Sequence, residues 1–292
     1  MHAITESAIS AAIPTYSGGR RWRRMPGETN DVWATDDKMF VIRIAPADTF
    51  SLIRPEATVY AARLLEETRV PAIRLVKDHS QPFSIFGHAA TIWHFSRSER
   101  PATPKDIAHT LAALRSAPIT AAQLPSRDLR PTVQERLERL WSMQPERTDY
   151  WSLLNRWRCA VRDCVDNDEH AVVHGDMRSS NVLMSGELAV LADLDSVSHA
   201  PRLFDTWRFD VDRLAGRLSA SEYAEFCAIA GSYPDTDTMS AFVFLLQLAY
   251  TTLAELRLAS DPQPRWVAQQ KRFERWWRRG AEITELLGWD ET

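Results

Sequence analysis

The sequence predicts a mixed α/β fold in two lobes, a small antiparallel sheet with one key helix followed by a larger, mainly helical lobe. Three observations carry this expectation. Short apolar runs broken by turn residues fill roughly the first 95 residues. After "SRSERPATPKD" (Ser96–Asp106), apolar residues recur at helical spacing. One strand-rich stretch, "VVHGDMRSSNVLMSGELAVLADLDS" (Val172–Ser196), interrupts those helices with polar residues set between apolar runs.

Taken in order, "VWAT" (Val32–Thr35) and "MFVIRIA" (Met39–Ala45) are separated by "DDK" and read as a hairpin. "RPEATVYAARLLEET" (Arg54–Thr68) reads as a helix, with Pro55 suited to the first turn and Glu56 to the positive end of the dipole. "AIRLV" and "ATIWHF" are further strand candidates. The polar, proline-containing segment Ser96–Asp106 is the expected lobe boundary, giving lobes 1–95 and 96–292. "DIAHTLAALRSA", "TVQERLERLWSM" and "YWSLLNRWRCAVRDCV" follow as helices. "AVV" is then a short buried strand and "HGDMRSSN" a polar loop. "VLM" and "LAVLA" are two strands joined by a tight turn around Ser185 and Gly186. From Ser219 helices return, including "MSAFVFLLQLAYTTLAELRLA" and "RWVAQQKRFERWWRRGAEITELL".

Composition narrows the function classes. With 292 residues, 45% of them hydrophobic, the chain can bury a substantial core. A net charge of −4 argues against a general nucleic-acid binder. Cys159, Cys164 and Cys227 are odd in number and form no CxxC pair, so neither a disulfide framework nor a zinc site is expected. "MHAITESAISAAIP" lacks the basic and apolar regions of a signal peptide. The apolar run "AFVFLLQLAY" (Ala241–Tyr250) falls short of the ~20 residues a bilayer span needs. A cytoplasmic protein with no nucleic-acid or membrane partner is expected; oligomeric state stays open. "RRWRR" (Arg20–Arg24) and "RFERWWRRG" (Arg272–Gly280) read as a solvated strand edge and as helix packing rather than as nucleic-acid or membrane contacts.

A hairpin that folds back brings its two ends together, so Asp176, Asn181 and Asp193 are expected to converge. Asp176 can accept a proton from an attacking hydroxyl. Asn181 and Asp193 offer hard oxygens for Mg²⁺, which bridges phosphate oxygens and offsets their charge. The set suits phosphoryl transfer.

The spacing H-x-D-x-x-x-x-N, then a hairpin, then D-x-D, resembles the catalytic loop and metal motif of eukaryotic-like kinases. With Gly after His, "HGDMRSSN" looks like the aminoglycoside phosphotransferase and choline kinase superfamily, as do "LADLDS" and "APRLFD" with Pro201 and Asp205. The resemblance implies a bilobal protein-kinase-like fold and use of ATP, with GTP as the alternative nucleotide, together with Mg²⁺. It places Arg43 where the family's strand carries the basic residue that touches nucleotide phosphates, Glu56 as the acid that orients it, and Val41 beside the adenine. "IWHFS" (Ile92–Ser96) matches the hinge, and "PGETNDVW" (Pro26–Trp33) the nucleotide loop. His174 and Asp205 are expected to support the catalytic loop, and Arg178 to reach a γ-phosphate or a surface carboxylate. The sequence departs from the pattern in lacking a GxGxxG; Gly18, Gly19 and Gly27 stand in its place.

The expected activity is transfer of a γ-phosphoryl group to a hydroxyl of a small molecule, such as an aminoglycoside or other antibiotic, a sugar or an amino alcohol. Asp195, Asp210 and Glu255 are candidates for contacts to a cationic acceptor; Trp93, Trp207 and Trp266 would instead line a flatter pocket. A catalytically silent nucleotide-binding scaffold is the alternative. A protein kinase is disfavoured, because no segment ending in A-P-E follows "DLD".

Overall fold

The computed structural model describes residues 4–25, 30–45, 55–146, 169–214, 216–231, 236–260, 264 and 266–271. The expected helix "YWSLLNRWRCAVRDCV", most of the expected C-terminal helix, Cys159, Cys164, and Pro26 to Thr29 of the nucleotide loop lie outside them. The chain divides into two compact units, Met1–Thr120 with Arg178–Val197, and Ala121–Met177 with Ser198–Thr292. Ser96–Asp106 therefore falls inside the first unit.

The first unit is built on a five-stranded antiparallel sheet ordered β1-β2-β3-β5-β4. Its strands are β1 (Trp22–Met25), β2 (Asp31–Thr35), β3 (Phe40–Ile44), β4 (Phe83–Ile85) and β5 (His88–His94). Ile42 pairs with Ile92 and Ile44 with Ala90, so these four share one face. That face is buried in a cluster with Ile9 of α1 (Glu6–Ala12), Tyr16 of α2 (Pro14–Ser17) and Ile13 between these two short helices. The sequence pattern predicts no helix there. Seven and four residues are too few to display a helical period, although the Thr5 side chain caps α1 by accepting from the Ala8 amide.

The opposite face carries Val41 and Arg43, paired with Trp93 and Thr91. Helix α3 (Pro55–Glu67) buries Thr58, Val59, Ala61, Ala62 and Leu65. "AIRLV" is not a strand. It makes two isolated bridges, Ala72 with Leu191 and Leu75 with Trp93, because its backbone groups are divided between two different partners instead of following one ladder. Helix α4 (Pro104–Ser116) starts with a reciprocal capping box between Thr103 and Asp106, reinforced by Arg100.

The expected hairpin is present within this unit as β7 (Val182–Ser185) and β8 (Leu188–Leu191), with Val182 opposite Leu191 and Ser185 opposite Leu188. That register leaves Gly186 and Glu187 as a two-residue turn, and Gly186 supplies the positive φ of 58°. The hairpin is tied down on both edges. The Leu191 amide donates to Pro71 O at 2.9 Å, and the Glu99 amide donates to Met184 O at 2.8 Å.

In the second unit, β6 (His170–Val173) pairs antiparallel with β9 (Ser198–Pro201), which leads directly into α6 (Leu203–Leu214). The sequence predicts neither β9 nor α6, since helices are expected to return only at Ser219. α7 (Ala220–Ala230) does begin there, through a Ser219–Glu222 capping box. α5 (Leu129–Met143) packs on α8 (Thr236–Ser260), and buried Arg136 donates to Ala249 O at 2.6 Å. No helix among the described residues is long and apolar enough to cross a membrane.

Candidate active site

The loop after β6 is fixed by one buried carboxylate. Asp205, 1% exposed in the first turn of α6, accepts from the His174 amide at 3.0 Å and the Gly175 amide at 2.8 Å, one on each oxygen. His174 is fully buried. Arg127 stacks its guanidinium over the Phe204 ring and donates to Gly175 O at 3.2 Å. Asp176 follows, half-buried, and accepts from Arg208 Nη2 at 3.0 Å. Arg208 lies one turn after Asp205 on α6, so a single helix face presents both the brace for the loop backbone and the cation for its acid. Sequence reasoning missed Arg208; its signal was the i, i+3 spacing from Asp205.

In the first unit, the mouth of the hairpin holds Asn181 and Asp193. Asn181 is buried and closes a 3-10 turn, Ser179–Asn181. Its carbonyl accepts from the Ala192 amide at 2.9 Å, which extends the β7–β8 ladder by one step and sets Asp193 beside it. Asp193 adopts left-handed backbone angles, φ 60° and ψ 59°. Such angles are rare for a residue with a side chain, and Asp is among the few that tolerate them.

Arg43 reaches this mouth from β3. Its Nη2 donates to Asp193 Oδ1 at 2.5 Å and to Asp195 Oδ2 at 2.8 Å. Burial works against the guanidinium charge, but Asp195 and Asp193 outweigh it and raise its pKa above the ordinary value. Asp195 also accepts from Asn30 Nδ2 at 3.0 Å and from Thr58 Oγ at 3.1 Å. Arg43, Asn30, Thr58, Thr91 and Asp195 line a small polar recess. Asn30 and Thr58 were also missed. The first lies in the nucleotide-loop segment; the second lies two residues after Glu56 and carried no signal.

Within the first unit Asp193, Asp195 and Arg43 come together, and Asn181 is tied by its backbone to Ala192, the residue before Asp193. Val41 is half-buried on the Arg43 face, opposite Trp93. Glu56 does not join them. It stands exposed in the first turn of α3, while the inward-facing Thr58 makes the contact to the Asp193–Asp195 turn. Asp195 is no exposed acid open to a substrate, since its carboxylate already serves three donors. Arg178 is half-buried. Asp210 is 2% exposed and accepts from the Tyr223 hydroxyl of α7, so it faces the packing of α6 on α7. Glu255 is half-buried on α8. Trp93, Trp207 and Trp266 are all buried, which removes them as an open aromatic lining. In the expected hinge, the amides of Ile92, His94 and Phe95 already donate to Gln81 Oε1, Arg74 O and Met39 O.

A model of the phosphotransferase enzyme family (APH) matches residues 22–242, most of the chain. The chain belongs to that family. This phosphotransferase is accordingly a small-molecule kinase. No curated protein matches it by sequence. A spectinomycin phosphotransferase, in complex with ADP and spectinomycin, aligns with 94% of this chain and 95% of its own, with a TM-score of 0.65 and 12% identity. A choline/ethanolamine kinase family protein from Mesorhizobium loti aligns with 97% of this chain and 94% of its own, with a TM-score of 0.66 and 19% identity. A choline kinase from Streptococcus pneumoniae aligns with 95% and 99%, with a TM-score of 0.67 and 15% identity. At these identities the likeness is one of fold, and the fold of this phosphotransferase is the protein-kinase-like one.

Proposed function

We propose that this phosphotransferase moves the γ-phosphoryl group of ATP onto a hydroxyl of a small molecule, with Mg²⁺ held by Asn181 and Asp193. The observation that carries the reading is the hairpin mouth, where the Asp193 carboxylate meets the Arg43 guanidinium and a backbone bond from Ala192 holds Asn181 at the neighbouring step of the ladder. The donor set fits Mg²⁺, which is commonly held by one or two protein carboxylates while substrate phosphates and water complete its shell. Among the described residues no cluster of three or more acidic, His or Cys side chains forms a preformed metal cage. When bound, the ion would be held by Asn181 and Asp193 and would offset the negative charge of the phosphates.

Arg43 is the phosphate contact on the protein side, a two-pronged donor that does not lose its proton. Asp176 orients the acceptor hydroxyl and takes its proton; Arg208 holds that carboxylate in place. Arg178, which precedes the Asn181 turn, is a second candidate for the γ-phosphate. Val41, on the Arg43 face, is the candidate for adenine packing. Positioning and electrostatics carry the catalysis, as phosphoryl transfer requires. The acceptor class rests on the spectinomycin bound to one structural relative and on the likeness in fold to choline kinases. An antibiotic, a sugar or an amino alcohol fits that range.

ADP release from Mg·ATP, across aminoglycosides, other hydroxylated antibiotics, choline, sugars and nucleosides, tests the proposal. One acceptor class should stimulate release, and Asp176→Asn should lower that rate by about 10²–10⁴-fold while still binding ATP. Absence of ATP and GTP binding in the wild type would overturn the reading.

A further inference from the structure

We propose that Asp195 is the residue that positions Arg43, taking the place the sequence suggested for Glu56. The inference rests on the reading of Arg43 as the nucleotide-phosphate contact and goes beyond it. Asp195 lies in the 3-10 turn Leu194–Ser196, directly after the left-handed Asp193. Leu194 between them is buried and anchors the turn. Both carboxylates therefore reach the same Nη2 of Arg43, at 2.5 Å from Asp193 and 2.8 Å from Asp195.

The two acids are not equivalent. The Asp193 side chain keeps 34% of its surface exposed, and that of Asp195 only 11%. Asp195 is also anchored from two further elements, through Asn30 just before β2 and Thr58 on α3. A carboxylate fixed by neutral donors on two sides has little freedom left, so its pull on the guanidinium has a fixed direction. The buried acid holds the arginine, and the more open Asp193 keeps surface available to a nucleotide-bound cation. Without the Asp195 charge, Arg43 would rest on Asp193 alone and compete more strongly with that cation. Glu56 is exposed and holds no such position.

The test is ATP binding by titration calorimetry in the presence of Mg²⁺, on the whole chain, with thermal unfolding run beside it to confirm a folded protein. Asp195→Asn preserves the side chain's volume and removes its charge. It should weaken ATP binding about tenfold, the scale of one charge-assisted hydrogen bond. Arg43→Ala should weaken it at least as much, and the double variant should be no worse than Arg43→Ala alone, because Asp195 acts through the arginine. Thr58→Val, which loosens Asp195 without touching a charge, should weaken binding a few-fold, and Glu56→Gln should stay within twofold of the wild type. Losses that add in the double variant would mean Asp195 acts independently of Arg43 and would overturn the inference. So would wild-type binding by Asp195→Asn beside a weakened Arg43→Ala, an outcome that leaves the proposed function standing. If Arg43→Ala binds ATP like the wild type, the reading of Arg43 fails first, and this inference fails with it.

Discussion

Asp205 shows how one side chain sets the geometry of a loop. The amides of His174 and Gly175 are buried, and a buried amide without an acceptor costs about 1–3 kcal/mol. A single carboxylate satisfies both, and this fixes where Asp176 begins. Asp205→Ala should therefore destabilise the chain by about 2–5 kcal/mol, read as a lower urea midpoint. Asp205→Asn retains one acceptor oxygen and should lose roughly half as much. An Ala variant as stable as the wild type would mean the two amides find other partners. Asp193 makes the complementary point. Its left-handed backbone is a local cost on the order of 1 kcal/mol, carried at the residue whose carboxylate receives Arg43.

At the scale of elements, the β7–β8 hairpin does most of the positioning. Its two-residue turn depends on Gly186, whose φ of 58° suits glycine and strains any branched residue. A Cβ there would meet no atom within 4 Å, so the cost of substitution is purely backbone. Gly186→Val should destabilise the protein by about 1–2 kcal/mol and loosen the register that sets Asn181 beside Asp193. Urea unfolding gives the first effect, and faster hydrogen exchange at the Ala192 amide the second; an unchanged exchange rate would show the register held by other contacts. This hairpin was legible because two short apolar runs flank a glycine and carry polar residues at both outer ends. α3, α4, α5 and α8 were legible by period. α1 and α2 were not, because one or two turns are too short to show one. β9 and α6 were hidden by "SVSHAPRLFD", whose prolyl and polar residues read as loop although Ser198 to Pro201 pair with β6. Glu56 shows the limit at a site. A helix-start acid satisfies a general propensity, and propensity does not say which side chain of that helix, Glu56 or Thr58, faces Asp195.

For the whole molecule, the sequence placed a boundary near residue 96, whereas packing joins residues 178–197 to the first 120. Sequence patterning cannot display such a discontinuous unit, since nothing in local period records that Glu99 and Pro71 bond to the hairpin. Stability against pH is likewise a property of tertiary packing. Burial pushes Asp210 up to about 6, although the Tyr223 hydroxyl and Arg213 favour its ionised form. Cys227, also close, has its thiol pushed up by burial. A carboxyl whose folded pKa is raised binds more protons folded than unfolded between about pH 4 and 6, so stability falls as pH rises through that window. The contribution is whole below pH 4 and lost above about 6, where ionised Asp210 costs on the order of 3 kcal/mol. Asp210→Asn keeps an acceptor for Tyr223 and removes the titration. Its stability gain over the wild type should grow by about 1–2 kcal/mol between pH 5 and pH 7.5, measured as the difference between paired urea curves. Taking the difference cancels every other group that titrates in common. A gain that stays constant across that range would mean Asp210 remains ionised in the fold, with Tyr223 and Arg213 outweighing its burial.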